Sequence, residues 1–235
     1  MCEIKIGVSC PHCASSKVIK NDKKSNGKQN FKCKNCGKQF QYEYVYKGCD
    51  VGVRHLIISM LLRNCGIRDI AVILKVSTQL VLKLFVLEGH KCEIIPQQRS
   101  YKSVQIDEFW SYVKHKKKGK LWIIYAYCSE TREVLGYVMG KRDAKTTKKL
   151  YKQLKKLTIK TYYFDNWSTF KNVFAKENCV IVKQGTKHIE GVNNSFRHRN
   201  RRFVRQTTCF SKKEENHRAA FAIIIQQRNY AYHTF

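Results

Sequence analysis

Seven residues of this chain have the types and spacing to hold metal ions: Cys10, Cys13, Cys33 and Cys36 near its start, and Asp107, Asp165 and Glu190 further on. The cysteines form two pairs, Cys10-Pro11-His12-Cys13 and Cys33-Lys34-Asn35-Cys36, the second followed by Gly37. Each pair can make a tight knuckle whose two thiolates face one metal, and four thiolates complete the closed tetrahedral shell of one structural Zn2+. A redox dithiol or a chance pairing would not require two knuckles in register. The carboxylates are hard oxygen ligands set among apolar neighbours: Ile106 and Phe109 around Asp107, Tyr163 and Phe164 before Asp165, and Ile189 before Glu190. An acid among core side chains is costly unless it is paired or bound to a cation. Mg2+ (or Mn2+) prefers octahedral oxygen coordination and retains water, so two or three carboxylates plus a substrate phosphate suit it. Two such ions about 4 Å apart can activate an attacking oxygen and stabilise the leaving one. Glu108 points to the other face of a strand from Asp107, and Asp143 reads as a helix cap, so neither joins the set.

The charge balance names the kind of partner. Lys and Arg number 46 against 17 acidic residues, a formal net charge of +29 spread along the whole length. Such an excess suits a polyanion, because cationic side chains displace counterions condensed on phosphates. A hydrophobic fraction of 43% and an aromatic fraction of 12% exclude a disordered basic tail. At 235 residues the chain can bury one sizeable core and carry one or two small modules. Met1 to Ser9 lacks the apolar core of a signal peptide, and no apolar run approaches the roughly 18 residues of a membrane span. The expectation is a cytoplasmic protein with no membrane partner. The other seven cysteines follow no pattern and read as small apolar fillers in a reducing compartment.

Three regions must position these groups. Residues 1–47 read as a zinc ribbon, with short strands at Val18–Lys20 and Gln29–Lys32, a turn at Asn26-Gly27, and Phe40, Tyr42, Tyr44 and Tyr46 as aromatic filling. So small a module takes most of its folding free energy from the metal. Residues 48–90 read as three helices. Val53, Leu56, Ile57, Met60 and Leu61 repeat at helical spacing with Gly66 as a stop, then Ile67, Ile70, Ala71 and Leu74, then Val81, Leu84 and Phe85 behind a Ser77 N-cap. The second and third make a helix-turn-helix candidate that presents Thr78, Gln79 and Lys83 to DNA. Residues 91–102 are a linker.

From 103 to 235 the pattern changes to strands near 103–113, 121–128 and 133–140, a helix to about 157, a strand at 160–164, a short helix at 167–174 and a strand at 179–183. A long basic helix opens near Lys187. The order βββαβαβα is that of a ribonuclease-H-like (retroviral-integrase-type) α/β domain, which makes the whole chain a multidomain α+β protein. That topology sets Asp107 mid-way along the first strand, Asp165 at the end of the neighbouring fourth, and Glu190 in a helix crossing both. Asn193, Asn194, Arg197 and Arg201 follow Glu190 at helical offsets, and Arg199, Arg202 and Arg205 widen the basic surface for phosphate contacts.

At these residues the chain resembles the transposases of the insertion-sequence-one family, prokaryotic DDE enzymes. The matching segments are Val104-Gln105-Ile106-Asp107-Glu108-Phe109-Trp110-Ser111-Tyr112-Val113, Asp165-Asn166-Trp167 and Gln184-Gly185-Thr186-Lys187-His188-Ile189-Glu190. Asn193, Arg197, Arg199 and the run Thr207-Thr208-Cys209-Phe210-Ser211-Lys212 fit as well. The ribbon and helix-turn-helix are similar to the family's terminal-repeat-binding part. In many relatives the two halves are joined by frameshifting, whereas here one chain holds both. Asn166 and Gly191-Val192 depart from the family pattern without removing a ligand. The resemblance implies Asp107, Asp165 and Glu190 as a catalytic triad holding two Mg2+ ions. It further implies double-stranded DNA as partner, both as terminal inverted repeats and as target, strand cleavage followed by strand transfer, a homodimer or higher homo-oligomer on DNA, and a place at the nucleoid. The rival expectation is a non-catalytic zinc-ribbon and helix-turn-helix DNA-binding protein, and a third is a structure-selective nuclease.

Overall fold

The computed structural model describes residues 7–25, 27–41, 47–181 and 187–231. The expected roles of Asn26, Tyr42, Tyr44, Tyr46 and the segment 182–186 lie outside the described residues. The first unit is a three-stranded antiparallel sheet of β1 (Val18–Lys23), β2 (Gln29–Cys33) and β3 (Gln39–Gln41), in that order. Among the described residues its core is minimal: Cys10, Cys33 and Phe40 are buried, and Phe31 stacks on Phe40 with ring centroids 5.8 Å apart. A core of that size cannot offset the entropy of ordering some thirty residues (about 1–2 kcal/mol each), so a metal must supply the difference.

Three helices follow: α1 (Val51–Leu62), α2 (Ile67–Leu74) and α3 (Thr78–Lys91). Asp50 caps α1 by accepting from the backbone N–H groups of Gly52 and Val53, and Ser77 Oγ accepts from Leu80 N to cap α3. Gly66, expected as a stop, is instead the N-cap of α2. Asn64 and Lys75 take left-handed conformations (φ 63° and 53°) at the two turns. Ile57, Leu61, Ile70, Ala71, Val81 and Phe85 are buried as their spacing implies, whereas Leu56 is 52% exposed. These side chains do not form a core of their own. They join one cluster with Phe109 and with α7 (Glu214–Ala231). A Cβ added at Gly89 of α3 would lie 2.4 Å from the Cβ of Ala219 in α7, so the two helices approach as closely as glycine permits.

Beyond α3 the connection is shorter than expected, since β4 opens at Ser100. The second sheet contains β4 (Ser100–Tyr112), β5 (Lys120–Tyr127), β6 (Val134–Gly140), β7 (Thr158–Phe164) and β8 (Cys179–Ile181). Their order is β6-β5-β4-β7-β8; the pairs β4–β5 and β5–β6 are antiparallel, and β4–β7 and β7–β8 are parallel. The parallel neighbour of β4 is reached through α4 (Ala144–Leu154), capped by Asp143, which accepts from Thr146 N. One face, with Val104, Ile106, Ile124 and Ala126, packs on α4 and α5 (Ser168–Val173) through Leu150, Leu154, Phe170 and Phe174. The opposite face, with Phe109, Ile123 and Tyr125, packs on α6 (Lys187–Arg199) through Phe196, on α7 through Phe221, and on Phe203 between them. The long basic helix, expected to carry Arg201, stops at Arg199. Asn200 caps a short 3-10 turn at Arg201–Phe203, and buried Phe203 docks edge-on against Phe109. Burial of that one aromatic ring redirects the chain.

Candidate functional site

The two cysteine knuckles close on one point. Cys10 Sγ lies 3.6 Å from Cys36 Sγ, and Cys13 Sγ lies 3.6 Å from Cys33 Sγ. All four sulfur atoms are within 4.8 Å of one another. Zn–S bonds about 2.3 Å long at tetrahedral angles separate sulfurs by about 3.8 Å, so the cluster fits the ion. Each knuckle folds back by a bond from the residue after its second cysteine to the carbonyl of its first: Ala14 N to Cys10 O, and Gly37 N to Cys33 O. Both of those residues are left-handed, with φ 56° and 70°. Glycine takes that conformation freely, and Ala14 takes it at a cost. Backbone N–H groups of Cys36 and Asn35 aimed at the Cys33 sulfur pull its pKa down to about 6. Cys13, despite a backbone bond from Ser15, is pushed up to about 12 by desolvation and the neighbouring sulfurs, so the shared proton sits on Cys13 until a metal displaces it.

The three acids converge more loosely. Asp107 sits within β4 on the face covered by α6. Its Oδ1 accepts from the Glu108 backbone N–H at 2.7 Å, and its Oδ2 accepts from Asn193 Nδ2 of α6 at 2.7 Å. Burial first, and then the nearby charges of Asp165 and Glu190, raise its pKa to about 6 against those two bonds. Asp165 follows β7, is exposed, and accepts from Trp167 N at 3.1 Å. Glu190 is exposed in the first turn of α6, where the helix dipole favours a negative charge. Among the described residues, the cysteines are the one group of three or more whose ligand atoms all lie within 4.8 Å of one another. The carboxylates are therefore spread wider than a single-ion shell. A pair of ions about 4 Å apart, with water and phosphate oxygens completing each shell, has the span to meet such a set.

Several polar residues behave differently from expectation. Asn193, assigned to a DNA surface, is buried; it donates to Asp107, and its Oδ1 accepts from the Tyr125 hydroxyl at 2.9 Å. Tyr125 is fully buried opposite Asp107 in the β4–β5 register and was missed in the sequence, where nothing marks which strand residue faces Asp107. Arg202 turns inward, its guanidinium over the Phe85 ring at 5.3 Å and donating to Ser211 Oγ at 3.0 Å. Arg197 lies over Phe109 at 5.6 Å; burial, with Arg205 beside it, lowers its pKa, and its Nε has no hydrogen-bond partner among the described residues. Asn194, Arg199, Arg201 and Arg205 are exposed, as are Thr78, Gln79 and Lys83 at the start of α3. Glu108 does point away from Asp107, and there its Oε1 accepts at 2.6 Å from Arg142, whose side chain is exposed. Burial raises the Glu108 pKa to about 7, the Arg142 bond lowers it, and Asp165 raises it again.

Comparison with known proteins adds independent findings. A family model described as IS1 transposase matches residues 102–231, and one described as the InsA N-terminal domain matches residues 4–37. The insertion element iso-IS1n protein InsB of Shigella dysenteriae is 32% identical over 123 residues, covering 52% of this chain and 93% of that protein. The iso-IS1N protein InsA of the same organism is 31% identical over 78 residues, 33% of this chain and 87% of that protein. The IS1 protein InsB of Shigella sonnei is 29% identical over 126 residues, 54% of this chain and 95% of that protein.

Proposed function

The chain belongs to the IS1 transposase family, and on that premise we propose that it cleaves DNA at the ends of an insertion sequence and joins those ends to target DNA. The observation that carries this reading is Asp107, a half-buried carboxyl held by the Glu108 N–H and Asn193 and close enough to Asp165 and Glu190 to feel both charges. The strand order of the second sheet and its parallel β4–β7 pair support a ribonuclease-H-like domain over residues 103–235. In the same reading residues 1–47 are the zinc ribbon, 48–90 a helix-turn-helix module and 91–102 the linker.

Asp107, Asp165 and Glu190 would hold two Mg2+ or Mn2+ ions, which supply positive charge for an in-line displacement at phosphorus. The chain's own residues do the positioning. The Glu108 N–H and Asn193 fix both oxygens of Asp107, and the Tyr125 hydroxyl fixes Asn193, so the carboxylate cannot rotate. Arg197, whose Nε has no partner among the described residues and which feels the charge of Asp107, is placed to neutralise a phosphate oxygen. Hydrolysis at the element end breaks one P–O bond and frees a 3′-hydroxyl. That hydroxyl then attacks a target phosphate, and the target's own 3′-oxygen departs. Exposed Arg199, Arg201, Arg205 and Asn194 would grip the backbone around the site, while Thr78, Gln79 and Lys83 would meet the terminal repeats. Both ends must be joined together, so the active form is a homodimer or larger assembly on double-stranded DNA. Such a protein works at the nucleoid.

Labelled terminal-repeat DNA incubated with Mg2+ tests the reading. Wild type should nick and transfer strands, and Asp165→Asn should lower both by at least about a hundredfold while still binding the DNA. Undiminished cleavage by that variant, or binding without cleavage by wild type, would overturn it; the second result would leave a DNA-binding protein.

A further inference from the structure

All three tryptophans of the chain stand in one row, interleaved with cations, beside the acidic site. Trp110 of β4 and Trp122 of β5 face each other in the register. Lys120 Nζ lies over both rings, 4.7 Å from one centroid and 4.9 Å from the other. The guanidinium of Arg142 lies 5.0 Å from Trp122 and 4.4 Å from Trp167, and Arg205 closes the far end at 5.7 Å from Trp110. Each ring keeps part of its surface in solvent. The row is tied to the site at two points. Trp167 N donates to Asp165, and Arg142 is held by Glu108, whose own N–H donates to Asp107.

Packing alone is a poor account of this arrangement. Lys120 and Arg142 share the Trp122 ring although like charges repel, and among the described residues Lys120 has no acidic partner. A ligand that brings negative charge to the cations and a flat face to the rings would relieve both. A single DNA strand does so: its phosphates meet the cations and its bases stack on the rings. A duplex does not, because its base faces are already stacked on one another.

We propose that the Trp110–Trp122–Trp167 row binds unpaired nucleotides next to the phosphate that reacts, so that the substrate is DNA melted at the point of cleavage. This rests on the proposed chemistry at Asp107 and Asp165. The tryptophan emission of the protein reports on this row alone, since the sequence holds 3 tryptophans and all are in it.

The test titrates the full chain, without added Mg2+, with an oligothymidylate of about ten nucleotides and with a duplex of equal length. The single strand should quench the emission. Trp122→Ala should weaken single-strand binding about tenfold or more and duplex binding by less than about twofold, and Trp122→Phe should restore it. Unchanged emission at saturation, equal losses for strand and duplex, or no rescue by phenylalanine would overturn the inference. If Trp122→Ala loses its circular dichroism signal, Trp110→Ala is read by the same criteria. Mg2+-dependent cleavage with no quenching overturns this inference only; quenching in a chain that never cleaves overturns the proposed chemistry only.

Discussion

Asp107 keeps its two oxygens on two donors, the Glu108 N–H and Asn193, and Asn193 in turn rests on the Tyr125 hydroxyl. Residues that orient a metal ligand typically change affinity or activity by about 10–100-fold when removed. Asn193→Ala is therefore expected to lower cleavage within that range and to raise the Mg2+ concentration needed for half-maximal rate. A merely structural role would leave that Mg2+ requirement unchanged. The inward direction of Asn193 was present in the sequence but outweighed. Counting from Glu190 put it on the acidic face; counting from Ile189, Val192 and Phe196, all buried, puts it on the packed one. Tyr125 had no such signal, because the register that sets it opposite Asp107 is a property of two strands together.

Between elements, α7 is pinned to β4 by a polar contact inside an apolar core. His217 is buried, with its Nε2 2.7 Å from Ser111 Oγ of β4. Around it stand Phe203, Ser211 at 3.4 Å from Nδ1, and the cations Arg202 and Arg218. Burial first, and then those two cations, lower its pKa to about 4. In the unfolded chain the imidazole binds a proton below about pH 6.5, and the native state does not until about pH 4. Stability is thus retained above that window and lost as pH falls through it, on the order of 3 kcal/mol in all. His217→Gln should unfold at a lower temperature than wild type at pH 7, yet lose fewer degrees between pH 7 and pH 5. A thermal denaturation series reads both. The helix carries a continuous apolar run at Ala219–Ile225, a local feature. That α3 would lie on it, with Gly89 against Ala219, was not legible in the sequence, since 130 residues separate the partners.

At the scale of the whole molecule, the ribbon and the rest of the chain should differ in what holds them. Cys10, Cys13, Cys33 and Cys36 hold a unit in which, among the described residues, Phe40 is the one buried apolar side chain besides Cys10 and Cys33, whereas the helices and the large sheet share two extensive cores. Chelation of zinc is expected to unfold residues 1–47 alone. The test is amide exchange: protection should vanish in β1–β3 and persist in β4, β5 and α7. Loss of protection throughout would show that the ribbon supports the remainder. Among the described residues no helix is long and apolar enough to cross a membrane.

Spacing along the chain settled whatever depends on near neighbours. The zinc knuckles, the caps at Ser77 and Asp143, the alternation that parts Glu108 from Asp107 and the sequence of strands and helices are all local, written in patterns a few residues long. Tertiary structure alone decided what depends on distant segments meeting. It turned Arg202 inward, ended the basic helix where Phe203 found Phe109, and drew three tryptophans from three separate segments into one row. Side chains far apart in sequence compete for the same buried volume, and the outcome of that competition is fixed only when the whole core is packed.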